Sequence, residues 1–433
     1  MANETSLLDQ AWAARAAGRS EDAIRASMAL VAADEGQLHA AALLLELLAD
    51  AGRTDGLDAA GIRLVDAFVR RGNLPRALAV RACLAEAGVN EGGLTKTIAS
   101  AFSRSSERLG DVAPAPPPLP VDADAVEAKG AALLDAAETV LRMFVSSDDA
   151  FPEDRAVPTL PLFGALPTKR LRALLGVFEI LEVEPGDVVI EEGTEGKDAF
   201  VIVRGRLEAR RHAGEEEQSL AQLGPGAIFG EMALVSEAPR AASVVALEPT
   251  QLLVAHRDDL EKLAKKTPEI GTELSDFCRA RMVANLVRHS AVLQPLDPAE
   301  RAALIERFEA RRFKAGEALV TRGEEIEGLF LIASGSVRVM GEDSDGDALQ
   351  VAELGPGDIV GEISIVLRRP ATADVVATHP TVALELRREA FQAAIKEHPG
   401  LLGELYELAT KRDEELRTVV AQEALDIEEP VLL

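Results

Sequence analysis

The strongest constraint on this chain is that it contains part of itself twice. Residues 183–210, VEPGDVVIEEGTEGKDAFVIVRGRLEAR, align without a gap with 313–340, FKAGEALVTRGEEIEGLFLIASGSVRVM. Gly186 meets Gly316, Gly193 meets Gly323, Phe200 meets Phe330 and Gly205 meets Gly335. One residue is then inserted, and LGPGAIFGE (223–231) falls on LGPGDIVGE (354–362). Short β-rich runs at even spacing, broken by Gly-containing turns, predict a β-sandwich or jelly roll for each copy. Helical patterns bracket both: 168–178 and 297–308 precede them, 256–290 and 387–422 follow.

The first hundred residues have a different texture, rich in Ala and Leu with almost no strand-forming runs. Trp12, Ala16, Ala23, Ile24, Ser27 and Leu30 close on helix faces, with Gly18 between two such runs. Gly52 follows Gly18 by 34 residues, the period of a tetratricopeptide repeat, although the next such glycine, Gly72, comes after only 20. A helical, tetratricopeptide-like module results, of a kind that binds protein or serves as a structural cap. Residues 111–120, DVAPAPPPLP, hold five prolines and read as an extended linker separating this module from everything after it. An amphipathic helix is expected next, around Ala125–Phe144.

The fold class is therefore multidomain α+β. An N-terminal all-α helical-hairpin module (1–105) leads through a Pro-rich linker with one helix (106–159) into two jelly-roll β-barrels flanked by helices (160–290 and 291–420). An acidic tail (421–433) closes the chain.

Charge and composition exclude several functions. A net charge of −27 argues against a general nucleic-acid surface, which needs cations to neutralise phosphates. An anionic ligand would need a local receptor, such as a helix N-terminus or one placed arginine. No apolar run reaches the roughly 18–20 residues of a membrane span, and the N-terminus has no signal-peptide pattern. Cys83 and Cys278 fit no disulfide or metal spacing and read as buried thiols in a reducing cytoplasm. The six histidines are scattered, so no metal is expected. Glu215–Glu217 read as a solvated hairpin turn. No P-loop, kinase set, GxSxG, cyclase-like or nuclease-like constellation is present, so the chain reads as a non-enzyme. High Ala and Arg usage fits a high-GC bacterium.

The most informative segment is 229–246, FGEMALVSEAPRAASVVA, and its copy 360–377, VGEISIVLRRPATADVVA. In the first, Gly230 and Glu231 open a short helix whose free N–H groups and dipole favour an anion. Arg240 offers a planar donor fork suited to phosphate. Phe229, Met232, Ala233, Ala241, Ala242 and Ser243 are the segment's other candidate ligand-binding residues, Met232 reading more readily as core or ligand-wall packing. In register with the other copy, this segment resembles the phosphate-binding cassette of cyclic-nucleotide-binding domains, as found in catabolite activators and in regulatory subunits of cAMP-dependent protein kinase. The resemblance covers about 160–285 and 292–420. It implies that Glu231 accepts from the ribose 2′-OH, that Arg240 pairs with the cyclic phosphate, and that Ala241 and Ala242 offer N–H groups. It also implies that the helix after the roll closes as a lid, with Phe277 and Arg281 as candidate base caps. Ala241 stands where a Thr accompanies cGMP recognition in the family, which points to cAMP, with cGMP as the alternative.

The second copy departs from this pattern. Gly361 and Glu362 remain, but Ala371 replaces the arginine, Thr372 follows it, and Asp374 puts a carboxylate beside the would-be phosphate. This cassette reads as degenerate, with rescue by Arg368 or Arg369 the alternative. A recognition helix of the catabolite-activator kind has no room after the second roll. RRGNL at 70–74 superficially resembles a kinase-inhibitor segment but fits a turn between helices better. The sequence thus points to a cytoplasmic cyclic-nucleotide sensor that couples its first roll to a protein partner through the helical module, with homo-oligomerisation open. The rival is a ligand-independent scaffold using both rolls and the module as interaction surfaces.

Overall fold

The computed structural model describes residues 6–33, 37–89, 93–110, 126–147, 157–158, 162–213, 216–234, 239–342 and 348–426. The chain divides into two compact units: 1–191, 197–234 and 242–277 form the first, and 192–196, 235–241 and 278–433 form the second.

The first unit opens with α1 Leu7–Ala16, α2 Ser20–Ala33, α3 Leu38–Asp50, α4 Leu57–Arg70, α5 Leu74–Glu86 and α6 Leu94–Phe102. Ser6 caps α1 by accepting the Asp9 N–H (3.1 Å). Asn73 caps α5 by accepting that of Arg76 (3.1 Å), so RRGNL is indeed a turn between helices. Helices α1, α3, α4 and α5 each stop at a left-handed glycine: Gly18, Gly52, Gly72 and Gly88. This explains the irregular glycine spacing. Gly18, Gly52 and Gly88 close the first helices of successive pairs, whereas Gly72 closes the second helix of one pair. Helix α3 buries Leu43, Leu44, Leu45, Leu47 and Leu48 on several faces, with Glu46 the one buried charge among them.

A two-residue parallel bridge pairs β1 Leu109–Gly110 with β2 Val157–Pro158. Between them in the chain lies α7 Gly130–Ser146, which begins five residues later than expected and packs on α2, α3 and α4. The proline-rich stretch 111–120 lies outside the described residues.

After α8 Thr168–Leu175 come β3 Glu179–Val183, β4 Val188–Ile190, β5 Asp198–Arg204, β6 Leu207–Ala213, β7 Glu216–Leu223 and β8 Ile228–Phe229. Strands β9 Ser243–Ala246 and β10 Thr250–His256 complete the roll, followed by α9 Arg257–Lys266 and α10 Pro268–His289. The strands form two antiparallel four-stranded sheets, ordered β3-β10-β5-β8 and β4-β9-β6-β7. Phe200, Ile202, Leu207, Phe229, Val244 and Leu252 fill the space between them. Glu216 and Glu217 belong to β7, not to the hairpin turn, because β6 and β7 pair as far as Ala213 and Glu216. Gly205 is a steric necessity: it has φ of 94°, and a Cβ there would run into Thr250. Its copy Gly335 meets Thr381 in the same way.

The helical module is not set apart from the first roll by the linker; both belong to one unit. Fully buried Arg76 donates to Gln251 on β10 (2.8 Å) and lies 3.5 Å from buried Glu46 of α3. Gln251 donates in turn to Glu46 (3.0 Å), and Arg15 pairs with Glu182 of β3 (2.9 Å). Arg204 of β5 pairs with Asp9. The guanidiniums of Arg15, Arg76 and Arg204 sit 5.3, 5.5 and 5.0 Å from the centre of the Trp12 ring.

The second unit repeats the roll. It contains α11 Pro298–Ile305, β11 Glu309–Phe313, β12 Ala318–Val320, β13 Gly328–Ser334, β14 Val337–Glu342, β15 Ala348–Leu354 and β16 Ile359–Val360. Then follow α12 Glu362–Leu367, β17 Asp374–Ala377, β18 Thr381–Arg387, α13 Arg388–Glu397 and α14 Pro399–Asp426. The sheets are ordered β11-β18-β13-β16 and β12-β17-β14-β15, matching the first roll strand for strand. Helix α14 runs into the stretch expected as tail, since Glu423, Ala424 and Leu425 favour helix. No helix among the described residues is long and apolar enough to cross a membrane.

Candidate functional site

In the first unit, β8 delivers the chain to the cassette. Phe229 pairs with Phe200 across the strands and their rings stack, centroids 5.0 Å apart. After Gly230, Glu231–Leu234 form a 3-10 turn with Glu231 and Ala233 buried and Met232 half-buried. The Ala233 carbonyl accepts from the Arg257 guanidinium at the start of α9. Below the turn lies an apolar cavity lined by Phe200, Leu260, Leu274 and Phe277 together with Glu231 and Leu234. Phe277, a candidate base cap, is buried there. Ala242 is half-buried, and Ser243 opens β9 opposite Arg210.

Arg240 and Ala241 belong to the second unit, with the turn 192–196. Arg240 accepts the Gly193 N–H at its carbonyl (2.9 Å) and donates its own to Thr194 (2.9 Å). Its guanidinium lies over Gly196, where a Cβ would collide with Nε, Cζ and Nη2. Ala241 is exposed. Residues 235–238 of the cassette lie outside the described residues.

The second cassette has the same backbone and different contents. Ala371 accepts from Gly323 (2.9 Å) and donates to Glu324 (2.9 Å), the register of Arg240. Its methyl group is buried in an apolar cluster with Phe313, Ile326, Phe330 and Val360. Ile326 stands at the position of Gly196 in the repeat, and its Cγ2 lies 3.5 Å from where a Cβ on Gly361 would be. The glycine–arginine pair of one copy is thus an isoleucine–alanine pair in the other.

The remaining polar groups of the second cassette are taken by its own chain. Glu362 is buried and accepts from Arg412 of α14 (3.0 Å), which also reaches the Ile359 carbonyl. Burial pushes the Glu362 carboxyl above its ordinary range, against the pull of Arg412. Asp374 accepts the backbone N–H of Arg322 (2.7 Å), and Thr372 is half-buried. Arg369 is paired with Asp413 of α14, and Arg368 is exposed as the left-handed cap of α12.

Sequence reading missed Arg412, Arg257 and Gly196. Arg412 had a signal: it continues the buried series Leu401, Leu405 and Ala409 at helical spacing, so a cation falls on an apolar face. Gly196 had one too, as the glycine in the turn 191–200 that has no glycine partner in the copy. Among the described residues, no group of three or more His, Cys, Asp or Glu side chains could hold a metal ion.

A family model described as the cyclic nucleotide-binding domain matches residues 180–267 and 310–398. The type II regulatory subunit of cAMP-dependent protein kinase from Drosophila melanogaster is 27% identical over 229 residues. That match covers 53% of this chain and 57% of the relative, so the chain spans little more than half of that protein's length. Among solved structures, the regulatory domain of Toxoplasma gondii PKA with cAMP is 24% identical, covering 59% of this chain and 92% of that one, with a TM-score of 0.28. The catabolite activator protein of Thermus thermophilus is 26% identical over 36% of this chain and 75% of its own, with a TM-score of 0.26.

Proposed function

We propose, since the cyclic nucleotide-binding domain model matches a segment of each roll, that the chain is a sensor in which only the first roll takes a nucleotide. The ligand is cAMP in preference to cGMP. Ala241 in place of a threonine supports this, as does the likeness to a cAMP-dependent relative. Glu231 holds the ribose, Arg240 the cyclic phosphate, and Ala242 and Ser243 flank it. The second roll is a folded relay without ligand. The chain has no catalytic role of its own and acts on a protein partner in the cytoplasm, a compartment that suits the free thiols Cys83 and Cys278.

The observation that carries this reading is the exchange of Gly196 and Arg240 for Ile326 and Ala371 on an unchanged backbone. One copy keeps a cation and the room for it; the other fills that room with hydrocarbon and retains no fixed charge there.

Isothermal titration of cAMP and cGMP into wild type and Arg240→Ala tests the proposal. One cAMP site is expected, weakened about ten- to hundredfold in the variant, since a charge-assisted bond contributes roughly 1.5–3 kcal/mol and ~1.4 kcal/mol is tenfold. Two sites would restore ligand binding to the second roll. No heat with either nucleotide would leave the ligand-independent scaffold as the better description.

A further inference from the structure

Two arginines stand at one place in the repeat and make different bonds. Arg257 opens α9 and Arg388 opens α13. Each donates its backbone N–H to a carbonyl just before or at the start of the roll's long central strand, Arg257 to Lys197 (2.7 Å) and Arg388 to Glu327 (2.7 Å). The backbone is therefore the same in both copies, and the guanidiniums differ. Arg388 is exposed and its guanidinium donates to the Ile326 carbonyl (2.9 Å), just before β13. Arg257 is half-buried and its guanidinium donates to the Ala233 carbonyl, inside the first cassette.

The cassettes differ at the same point. In the second, the Gly361 carbonyl accepts from Ile365 (3.1 Å), and Glu362–Leu367 is α-helical. Its Ser364 carbonyl, the counterpart of Ala233, is taken by the chain's own backbone, through the N–H groups of Arg368 and Arg369. In the first, the Gly230 carbonyl accepts from Ala233 (3.2 Å), one residue nearer, and Glu231–Leu234 is a 3-10 turn. Such a turn is tighter than an α-turn and has poorer hydrogen-bond geometry, so its persistence calls for support from outside. Arg257 supplies it, as a cation bonded toward the C-terminal end of the turn, where the peptide dipoles leave negative charge.

We infer that Arg257 is a positioning residue of the nucleotide site. It holds the turn that carries Gly230 and Glu231 in one arrangement before a nucleotide arrives, so that less ordering remains to be done on binding. The inference rests on reading the first roll as the nucleotide site. It gives no such part to Arg388, whereas a merely structural arginine at the head of the helix would serve both rolls alike.

The test compares Arg257→Gln, Arg257→Lys and Arg388→Gln in the full chain, by hydrogen exchange without nucleotide and by titration of cAMP. Exchange across residues 229–234 should quicken roughly fivefold or more in Arg257→Gln, with the melting temperature within about two degrees of wild type. Exchange across residues 360–367 should stay as it is in Arg388→Gln. Affinity for cAMP should fall about three- to tenfold in Arg257→Gln and recover in part in Arg257→Lys, whose ammonium still donates to a carbonyl. Unchanged exchange across 229–234, or an equal effect of the two glutamine variants on their own cassettes, would overturn the inference. So would faster exchange with full cAMP affinity, or loss of the first roll's fold in both Arg257 variants. A wild type that takes neither cAMP nor cGMP would overturn the sensor reading and the ligand half of this inference with it. Exchange, measured without nucleotide, would still decide whether Arg257 holds the turn.

Discussion

The guanidinium of Arg240 lies over the Cα of Gly196, in space that a single methyl group would fill. In the second roll the equivalent positions carry Ile326 and Ala371, both in one apolar cluster, on a backbone that keeps the same two hydrogen bonds. The arginine and the glycine therefore form a unit: a large cation at one position requires no side chain at the other. Losing the arginine alone would leave a cavity, and the isoleucine fills it.

Gly196→Ala should consequently act on the ligand and not on the fold. Gly196 does not have positive φ, so alanine meets no backbone strain. Its methyl displaces the end of a flexible side chain, which costs roughly 0.5 kcal/mol or less in stability. If Arg240 holds a phosphate, cAMP affinity measured by titration should fall at least tenfold while the melting temperature stays within a degree or two. An unchanged affinity would remove Arg240 from the site.

Arg412 and Glu362 predict a different pattern. Arg412→Met leaves a buried carboxylate without its cation and should destabilise the second unit by about 3 kcal/mol in urea unfolding. The double variant with Glu362→Gln should recover most of that loss. Burial already pushes the Glu362 carboxyl up, and removing the cation pushes it further. A raised carboxyl favours the folded state when protonated. The deficit should therefore grow as pH rises above the ordinary carboxylate range and shrink below it. A deficit independent of pH would mean that Glu362 is not the group left exposed to the loss.

The two rolls were legible in the sequence because glycines at matching positions mark turns and close strand crossings, and Gly205 and Gly335 are sterically obliged. The missing cation of the second cassette was legible in Ala371, and the carboxylate near it in Asp374. The way that cassette is sealed was not, since Arg412 lies 50 residues beyond Glu362 and only the folded helix brings them together. Nor was the joining of module to roll. Proline-rich composition speaks for the linker itself and says nothing of Arg76 and Gln251, separated by 175 residues, meeting at 2.8 Å.

His256 gives the first roll a titrating group at a position where the second has none. Its Nδ1 lies 2.7 Å from Asp198, and Nε2 lies 3.7 Å from Glu179. The hydrogen bond to Asp198 raises its pKa above 6.5, with Glu179 and Asp259 adding to the attraction. In the second roll the corresponding pair is Arg387 with Glu309 (2.9 Å), which does not titrate near neutrality. Because the histidine's folded pKa is raised, its contribution is complete below 6.5 and is lost as pH rises through the folded value. The pair is substantially exposed, so the effect stays below about 1 kcal/mol. Chemical unfolding of His256→Arg, followed from pH 5.5 to 8.5, should lose this slope. A slope unchanged in the variant would place the titration elsewhere.

Trp12, the chain's one tryptophan, reports directly on the junction of module and roll, since three guanidiniums surround its ring. Arg76 ties that junction together from a fully buried position, between Glu46 and Gln251. In wild type, the loss of native Trp12 fluorescence and the loss of first-roll structure should coincide in denaturant, as for one cooperative unit. Arg76→Met keeps much of the side-chain volume but takes from Gln251 its donor and from Glu46 one of its two cations, Arg15 remaining at 2.5 Å, and should cost about 1–3 kcal/mol. The loss falls at the junction of module and roll, so the Trp12 transition should move to lower denaturant and separate from that of the roll. Coincident transitions in the variant would mean that the packing of α5 on β3, β5 and β10 holds the two parts together without the buried arginine.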